Sequence, residues 1–197
     1  MDGRTAKRIL IRGGSIAAGH GVQRCYADIL ESCLAPRGIG LINRSRYGDN
    51  SFDGIWTFAD DVEPYAPDIL LVHFGVDDAF FPVYRSEFKE NLVRMVRRAR
   101  ELFAPDIFLL TSHTFDDPYD MDAVNIFYRV IREVAVDLSC AMVPVHTYWA
   151  GYLLDTGTAN ADLVGKDTRY PNEKGHRIFA EAVIRRLEHS MQKPDSL

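Results

Sequence analysis

No stretch of this chain approaches the ~20 consecutive apolar residues needed to cross a bilayer. Its opening, MDGRTAKRILIRGG, has only the three apolar residues Ile9, Leu10 and Ile11 in a row before Arg12, far short of the apolar region of a secretory leader. Both absences lead us to expect a soluble, cytoplasmic protein with no membrane partner. Cysteine is scarce. Cys25, Cys33 and Cys140 are odd in number and lack metal-ligand spacing, which argues against a disulfide framework and a thiolate metal site. Cys25 and Cys33 fall on an apolar helical pattern and read as small buried hydrophobes. Positive charge is in deficit, with 23 Lys and Arg against 28 Asp and Glu, so the chain has no general attraction for nucleic acid. Its basic run RMVRRARE, residues 94–101, reads as the solvated face of a helix. Repeats and low-complexity tracts are missing too.

What is present is a chain of 197 residues, 47% hydrophobic, enough for one compact domain over residues 1–190 followed by a short tail at 191–197. Five short apolar runs read as strands: 8–11, 39–43, 68–74, 106–112 and 141–145. Between them, apolar residues recur every three or four positions, as one face of a helix requires. The sets are Tyr26 to Leu34, Ile55 to Val62, Phe88 to Leu102, Val124 to Ala135 and Ile178 to Leu187. Pro67 and Pro105 stand just before two of the strands, where a helix must already have ended. The alternation predicts an α/β fold with a five-stranded, mostly parallel sheet covered by helices on both faces. The ligand site of such a fold lies at the carboxyl ends of the strands.

Five loops leave that edge: GGSIAAGH, RSRYGDNSF, GVDDAFF, SHTFDDPYD and HTYWAGY, while KDTRYPNEKGH precedes the last helix. They bring together Ser15, Gly48, Asp77, Asp78, His113 and His146. Tyr47, Phe80, Phe81, Tyr84, Tyr148 and Trp149 are expected to line or cover the pocket, where aromatic rings suit acyl chains and sugar faces. The stretch between Asp155 and Arg169, rich in Gly, Thr, Asn and Asp, reads as a mobile lid or pocket wall. Asp77 and Asp78 with Asp49 or Asp167 are the one candidate hard-metal set, but their spacing matches no known metal loop, and no metal or cofactor is expected.

Four segments, ILIRGGSIAAG, NRSRYGDNSFDG, PDILLVHFGVDDA and DTRYPNEKGHRIFAEAV, resemble in order and separation the four conserved blocks of the GDSL, or SGNH, esterase and acylhydrolase family. The resemblance covers nearly the whole chain and implies a flavodoxin-like three-layer α/β/α sandwich. It also implies that Ser15 is the nucleophile and that the Gly48 backbone N–H serves the oxyanion hole. Three positions depart from the pattern. Gly14 replaces the aspartate of Gly-Asp-Ser, and Asp77 replaces the asparagine that donates to the oxyanion. An ionised carboxylate only accepts hydrogen bonds, so Asp77 repels a developing negative charge unless burial keeps it protonated. Asp167, which in the family orients the catalytic histidine, is kept, but the histidine position itself is Tyr170. A phenol with an ordinary pKa near ~10 cannot take the serine proton at neutral pH.

Among the remaining histidines, His20, His113 and His146 lie at strand exits, and His113 is favoured as a substitute base. His176 belongs to the helix that follows and does not align with the missing imidazole. Two functions are compatible with these residues. One is a serine hydrolase of carboxyl esters or acyl groups with weak or altered catalysis. The other is a noncatalytic domain that uses the same pocket to bind an acylated or carbohydrate ligand or a protein partner.

Overall fold

The computed structural model describes residues 7–81 and 83–191. The tail expected at 191–197 lies outside them, except for the backbone of Met191. Five strands, β1 (Arg8–Gly13), β2 (Gly40–Asn43), β3 (Ile69–His73), β4 (Asp106–Leu110) and β5 (Ala141–Val143), form one sheet in the order β2-β1-β3-β4-β5. Every pairing is parallel. The interior strands are uninterrupted apolar runs because helices cover both faces of a parallel sheet. All five residues of β3 are buried, whereas the edge strands β2 and β5 are partly exposed.

Among the described residues eight α-helices complete the layers: α1 (Tyr26–Leu34), α2 (Ser51–Trp56), α3 (Phe58–Asp61), α4 (Val76–Phe80), α5 (Arg85–Leu102), α6 (Pro118–Asp137), α7 (Val145–Thr156) and α8 (Glu173–Met191). Helices α1 and α7 pack against α8, while α5 packs against both α2 and α6 and α4 against α6. The result is the expected α/β/α sandwich. Local chemistry sets the ends of its helices. The Asn50 side chain accepts from the Phe52 N–H to start α2, and Asp117 accepts from Tyr119 and Asp120 to start α6 with Pro118 at its first position. No described helix is long and apolar enough to cross a membrane.

Three segments depart from the sequence reading. The helix expected through Ile55 and Val62 breaks at Thr57 into α2 and α3. There the Thr57 hydroxyl donates to Asp53 O and accepts from Arg12. GVDDAFF contains the single-turn helix α4 rather than a loop. HTYWAGY lies inside α7 because Trp149 buries completely beside Phe179 of α8, so tertiary packing overrides the loop reading.

Strand order places the site. The chain leaves β1 for one neighbour, β2, and later inserts β3 on the other side, so the order reverses at the β1 and β3 carboxyl ends. Gly13 pairs with His73 at that end, and the Gly14 N–H continues the ladder by donating to His73 O at 3.2 Å.

Candidate functional site

The turn after β1 needs two glycines. A Cβ at Gly13 would sit 2.4 Å from the His73 carbonyl oxygen, and one at Gly14 would sit 2.2 Å from Asp77 Oδ2 and 2.4 Å from Asp49 O. With no side chain at either position, β1 and β3 approach closely and Ser15 emerges beside α4. Gly48, in the loop after β2, has φ +81°, a left-handed conformation that glycine adopts without strain and that presents its N–H toward Ser15.

Around Ser15 the hydrogen bonds converge. The hydroxyl donates to Asp77 Oδ1 at 2.5 Å and accepts from the Gly48 N–H at 3.0 Å. The Ser15 N–H donates to the second carboxyl oxygen, Asp77 Oδ2, at 2.8 Å. Asp77 therefore grips both the side chain and the backbone of Ser15. Burial pushes the Asp77 carboxyl above the usual carboxylate range and the nearby Asp49 charge adds to this, while the two bonds from Ser15 hold it back.

Ser15 itself is 0% exposed. An open cavity over the hydroxyl is the arrangement the sequence suggests; in the structure the Tyr170 phenol approaches it instead. Burial raises the Tyr170 pKa, and the neighbouring Ser15 hydroxyl opposes that rise. Tyr170 in turn meets the edge of the His20 ring, with centroids 4.7 Å apart, and His20 stacks on the exposed Tyr47 at 4.0 Å. The Arg169 guanidinium lies over the rings of Phe80 and Tyr170.

Ser15, Gly48, Asp77 and Tyr170 thus meet in one place. Asp167 and His113 take other partners. Asp167 is held by Arg169, with Nε to Oδ1 at 2.8 Å and Nη2 to Oδ2 at 2.5 Å, and this pairing lowers its pKa. His113 donates from Nε2 to Thr168 O at 3.2 Å, so its Nδ1 accepts from Ser112 Oγ at 3.0 Å. Both nitrogens of this buried ring are engaged, and desolvation pushes its pKa down to about 4. His146 bonds Thr111 and stacks on Tyr128. Tyr148 bonds Glu181 of α8, and Trp149 anchors Asn160 at 2.7 Å from within the core.

Two contributors escaped the sequence reading. Arg12 is a buried cation in the middle of β1: Nη2 contacts Asp49 Oδ2 at 2.6 Å and Thr57 Oγ1 at 2.8 Å, and Nη1 donates to Gly13 O at 3.0 Å. Asp61 lies beside it; burial alone would raise this carboxyl, but Arg46, Thr57, Arg44 and Arg12 together hold it down to about 2. The signal available beforehand was an arginine inside RILIRG, where an apolar residue is the rule for a central strand. Asp78, which the sequence places at this edge, anchors backbone on both sides. Its oxygens accept from Ser51 N–H at 2.9 Å and Gly75 N–H at 3.0 Å, joining the β2 exit to the β3 exit.

Each carboxylate of the candidate hard-metal set is therefore committed elsewhere: Asp77 to Ser15, Asp78 to backbone N–H groups, Asp49 to Arg12 and Asp167 to Arg169. Among the described residues no group of three or more His, Cys, Asp or Glu is arranged to hold a metal.

Known proteins share this family pattern and this fold. The model of the GDSL-like Lipase/Acylhydrolase family matches residues 12–178. An arylesterase from Vibrio mimicus is 19% identical, over 93% of this chain and 90% of its own length. Among solved structures, Axe2, an acetylxylan esterase from Geobacillus stearothermophilus, superimposes with a TM-score of 0.82 at 21% identity, covering 93% of this chain and 94% of that one. LAE5, an alpha/beta hydrolase enzyme from the metagenome of Lake Arreo, Spain, gives a TM-score of 0.81 at 20% identity, covering 93% and 96%.

Proposed function

This chain belongs to the GDSL-like lipase/acylhydrolase family, and we propose that it is a slow serine hydrolase of carboxyl esters or acyl groups on small molecules or sugars. The observation that carries this reading is the pair of bonds on the Ser15 hydroxyl, one from the Gly48 N–H and one to Asp77. Ser15 Oγ attacks the acyl carbon, and the Gly48 N–H beside it, together with the Ser15 N–H once released by Asp77, donates to the oxygen that develops charge in the tetrahedral intermediate. The substrate class is supported by the relatives, an arylesterase and an acetylxylan esterase, and by the aromatic cluster in which His20 joins Tyr47 to Tyr170.

Catalysis is altered because no imidazole contacts Ser15 among the described residues and because the phenol of Tyr170 stands in its place. Ser15 is wholly covered, so a substrate reaches it only after an opening step that precedes chemistry. Measurement of p-nitrophenyl acetate hydrolysis tests the reading. The expected result is a Ser15→Ala chain at least ~10-fold slower than wild type, a modest fraction of the effect of losing a nucleophile in an efficient triad. Equal rates in the two chains overturn it.

A second reading, a noncatalytic ligand-binding domain, is favoured by one observation: Ser15 is wholly covered and its N–H is already bonded to Asp77. Calorimetric binding of acetylated xylo-oligosaccharide without turnover is the outcome expected from that alternative.

A further inference from the structure

Asp77 and Gly14 depart from the family pattern together, and the structure gives a steric reason. A Cβ at residue 14 would lie 2.2 Å from Asp77 Oδ2 and 3.1 Å from Asp77 Cγ. A side chain at 14 and the Asp77 carboxyl in its present place are mutually exclusive. The carboxyl of this site arrives from α4, on the far side of the nucleophile, and fills the volume that the residue before Ser15 leaves empty.

We propose that Asp77 acts on Ser15 twice: Oδ1 takes the serine proton during attack, and the carboxylic acid so formed donates that proton's hydrogen bond to the oxyanion, with Gly14 the positioning residue that admits it. The inference rests on the ester-hydrolase reading above and adds the identity of the base. The short Ser15 Oγ to Asp77 Oδ1 contact supplies a direct proton path. A protonated aspartic acid has the shape of asparagine and, like it, a donor, so one residue covers the family's missing base and its missing oxyanion donor in succession.

The steps balance. As the Ser15 Oγ to acyl carbon bond forms, the hydroxyl proton moves to Asp77 Oδ1 and the carbonyl π electrons move onto the oxyanion. Neutralisation weakens Oδ2 as an acceptor, so the Ser15 N–H turns from Asp77 to the oxyanion beside the Gly48 N–H. When the intermediate collapses, the C–O bond of the leaving group breaks with its electron pair, and the departing alkoxide takes the proton from Asp77. Asp77 then accepts a proton from the water that attacks the acyl-enzyme and returns it to Ser15 Oγ as that oxygen leaves. Burial and the adjacent Asp49 charge act in the helpful direction, since a carboxylate of raised basicity is a better acceptor near neutral pH.

The test combines a variant with a measurement on the wild type. Asp77→Asn keeps the side-chain shape and a donor but cannot accept a proton; kcat/KM for p-nitrophenyl acetate is expected to fall at least ~10-fold, to the level of Ser15→Ala, while Tm stays within a few degrees. Gly14→Ala, whose Cβ meets both Asp77 Oδ2 and the Asp49 carbonyl oxygen, is expected to fall comparably and its residual activity to lose the acid limb of the pH profile, as the carboxyl and the Gly48 loop are both displaced. In wild type, that acid limb is expected to keep its midpoint between 10 and 40 °C (about these temperatures), since carboxyl ionisation has almost no enthalpy, whereas imidazole ionisation has a large one. A temperature-dependent limb, or an Asp77→Asn chain as active as wild type while Ser15→Ala is inactive, overturns the role of Asp77 and leaves the hydrolase reading standing. Loss of the distinction between Ser15→Ala and wild type sinks the hydrolase reading itself.

Discussion

Arg12 Nη2 stands 2.6 Å from Asp49 Oδ2, tying the strand that ends in Ser15 to the loop that presents Gly48. The arginine side of this ion pair is sealed from water at 1% exposure while Asp49 is partly buried, and Arg12 also braces Thr57 at the break between α2 and α3. The buried charges hold one another in place: removing the arginine leaves Asp49 and Asp61 facing each other with only the outer arginines, Arg44 and Arg46, to compensate.

Arg12→Met is therefore expected to destabilise the fold by about 3 kcal/mol, because it strands buried negative charge. Urea unfolding of the two chains measures this. Asp49→Asn, which keeps the shape and a hydrogen-bonding oxygen, is expected to be milder in stability yet to lower esterase activity, because the Gly48 N–H loses its alignment on Ser15.

Restoring the family's residues at two positions should change the base. Tyr170→His with Asp77→Asn is expected to raise esterase activity at least ~10-fold over wild type, the gain that a positioned imidazole supplies in general-base catalysis. Asp77→Asn alone moves activity the other way. An unimproved double variant would show that Arg169 keeps Asp167 from orienting the new imidazole.

Coverage of Ser15 yields a separate expectation. Tyr170→Gly removes the ring that approaches Ser15, so labelling of Ser15 by a fluorophosphonate probe is expected to become several-fold faster even if ester turnover does not improve. Mass spectrometry of the labelled peptide reads the rate, and an unchanged rate would mean that some other group limits access.

Acid stability follows from three buried imidazoles gathered around Phe179: His73, His113 and His176. Desolvation lowers them to about 3, about 4 and about 4, with mutual repulsion helping at His73 and His113. Folded pKa values below the unfolded value of ~6.5 mean that the unfolded chain binds protons which the folded chain refuses. Stability is thus fully present above pH ~6.5 and falls as pH drops toward about 4. Asp78, raised by burial to about 6, and Asp77, raised by the same cause, work in the opposite sense, but two carboxyls do not outweigh three imidazoles. Calorimetry is expected to give a Tm at least ~5 °C lower at pH 5 than at pH 7. His176, whose Nδ1 accepts from the Tyr26 N–H while its buried Nε2 lacks a partner, is the first position to substitute.

Much of the architecture was legible in residue order. Apolar runs such as ILLVH and DIFLL gave β3 and β4, and the three-and-four spacing from Phe88 to Leu102 gave α5, because these signals are local and periodic. The residues from Val145 to Thr156 misled because Trp149 is helical for a tertiary reason, its packing on Phe179. At the site, Ser15 and Gly48 lay in recognisable motifs. What their order could not convey was direction: Asp167 turns to Arg169, the His113 ring is locked between Ser112 and Thr168, and Asp77 turns onto Ser15. Those choices depend on distances between segments far apart in sequence. Gly14 shows the same limit, since its meaning emerges only when the carboxyl beside it is seen.

The contact between Ser15 and Tyr170 joins the first strand's exit to the start of the final helix. The two groups come from opposite ends of the described sequence, so they meet only when the segment before α8 packs onto the sheet, and a covalent probe of the Ser15 hydroxyl would read out completion of the sandwich.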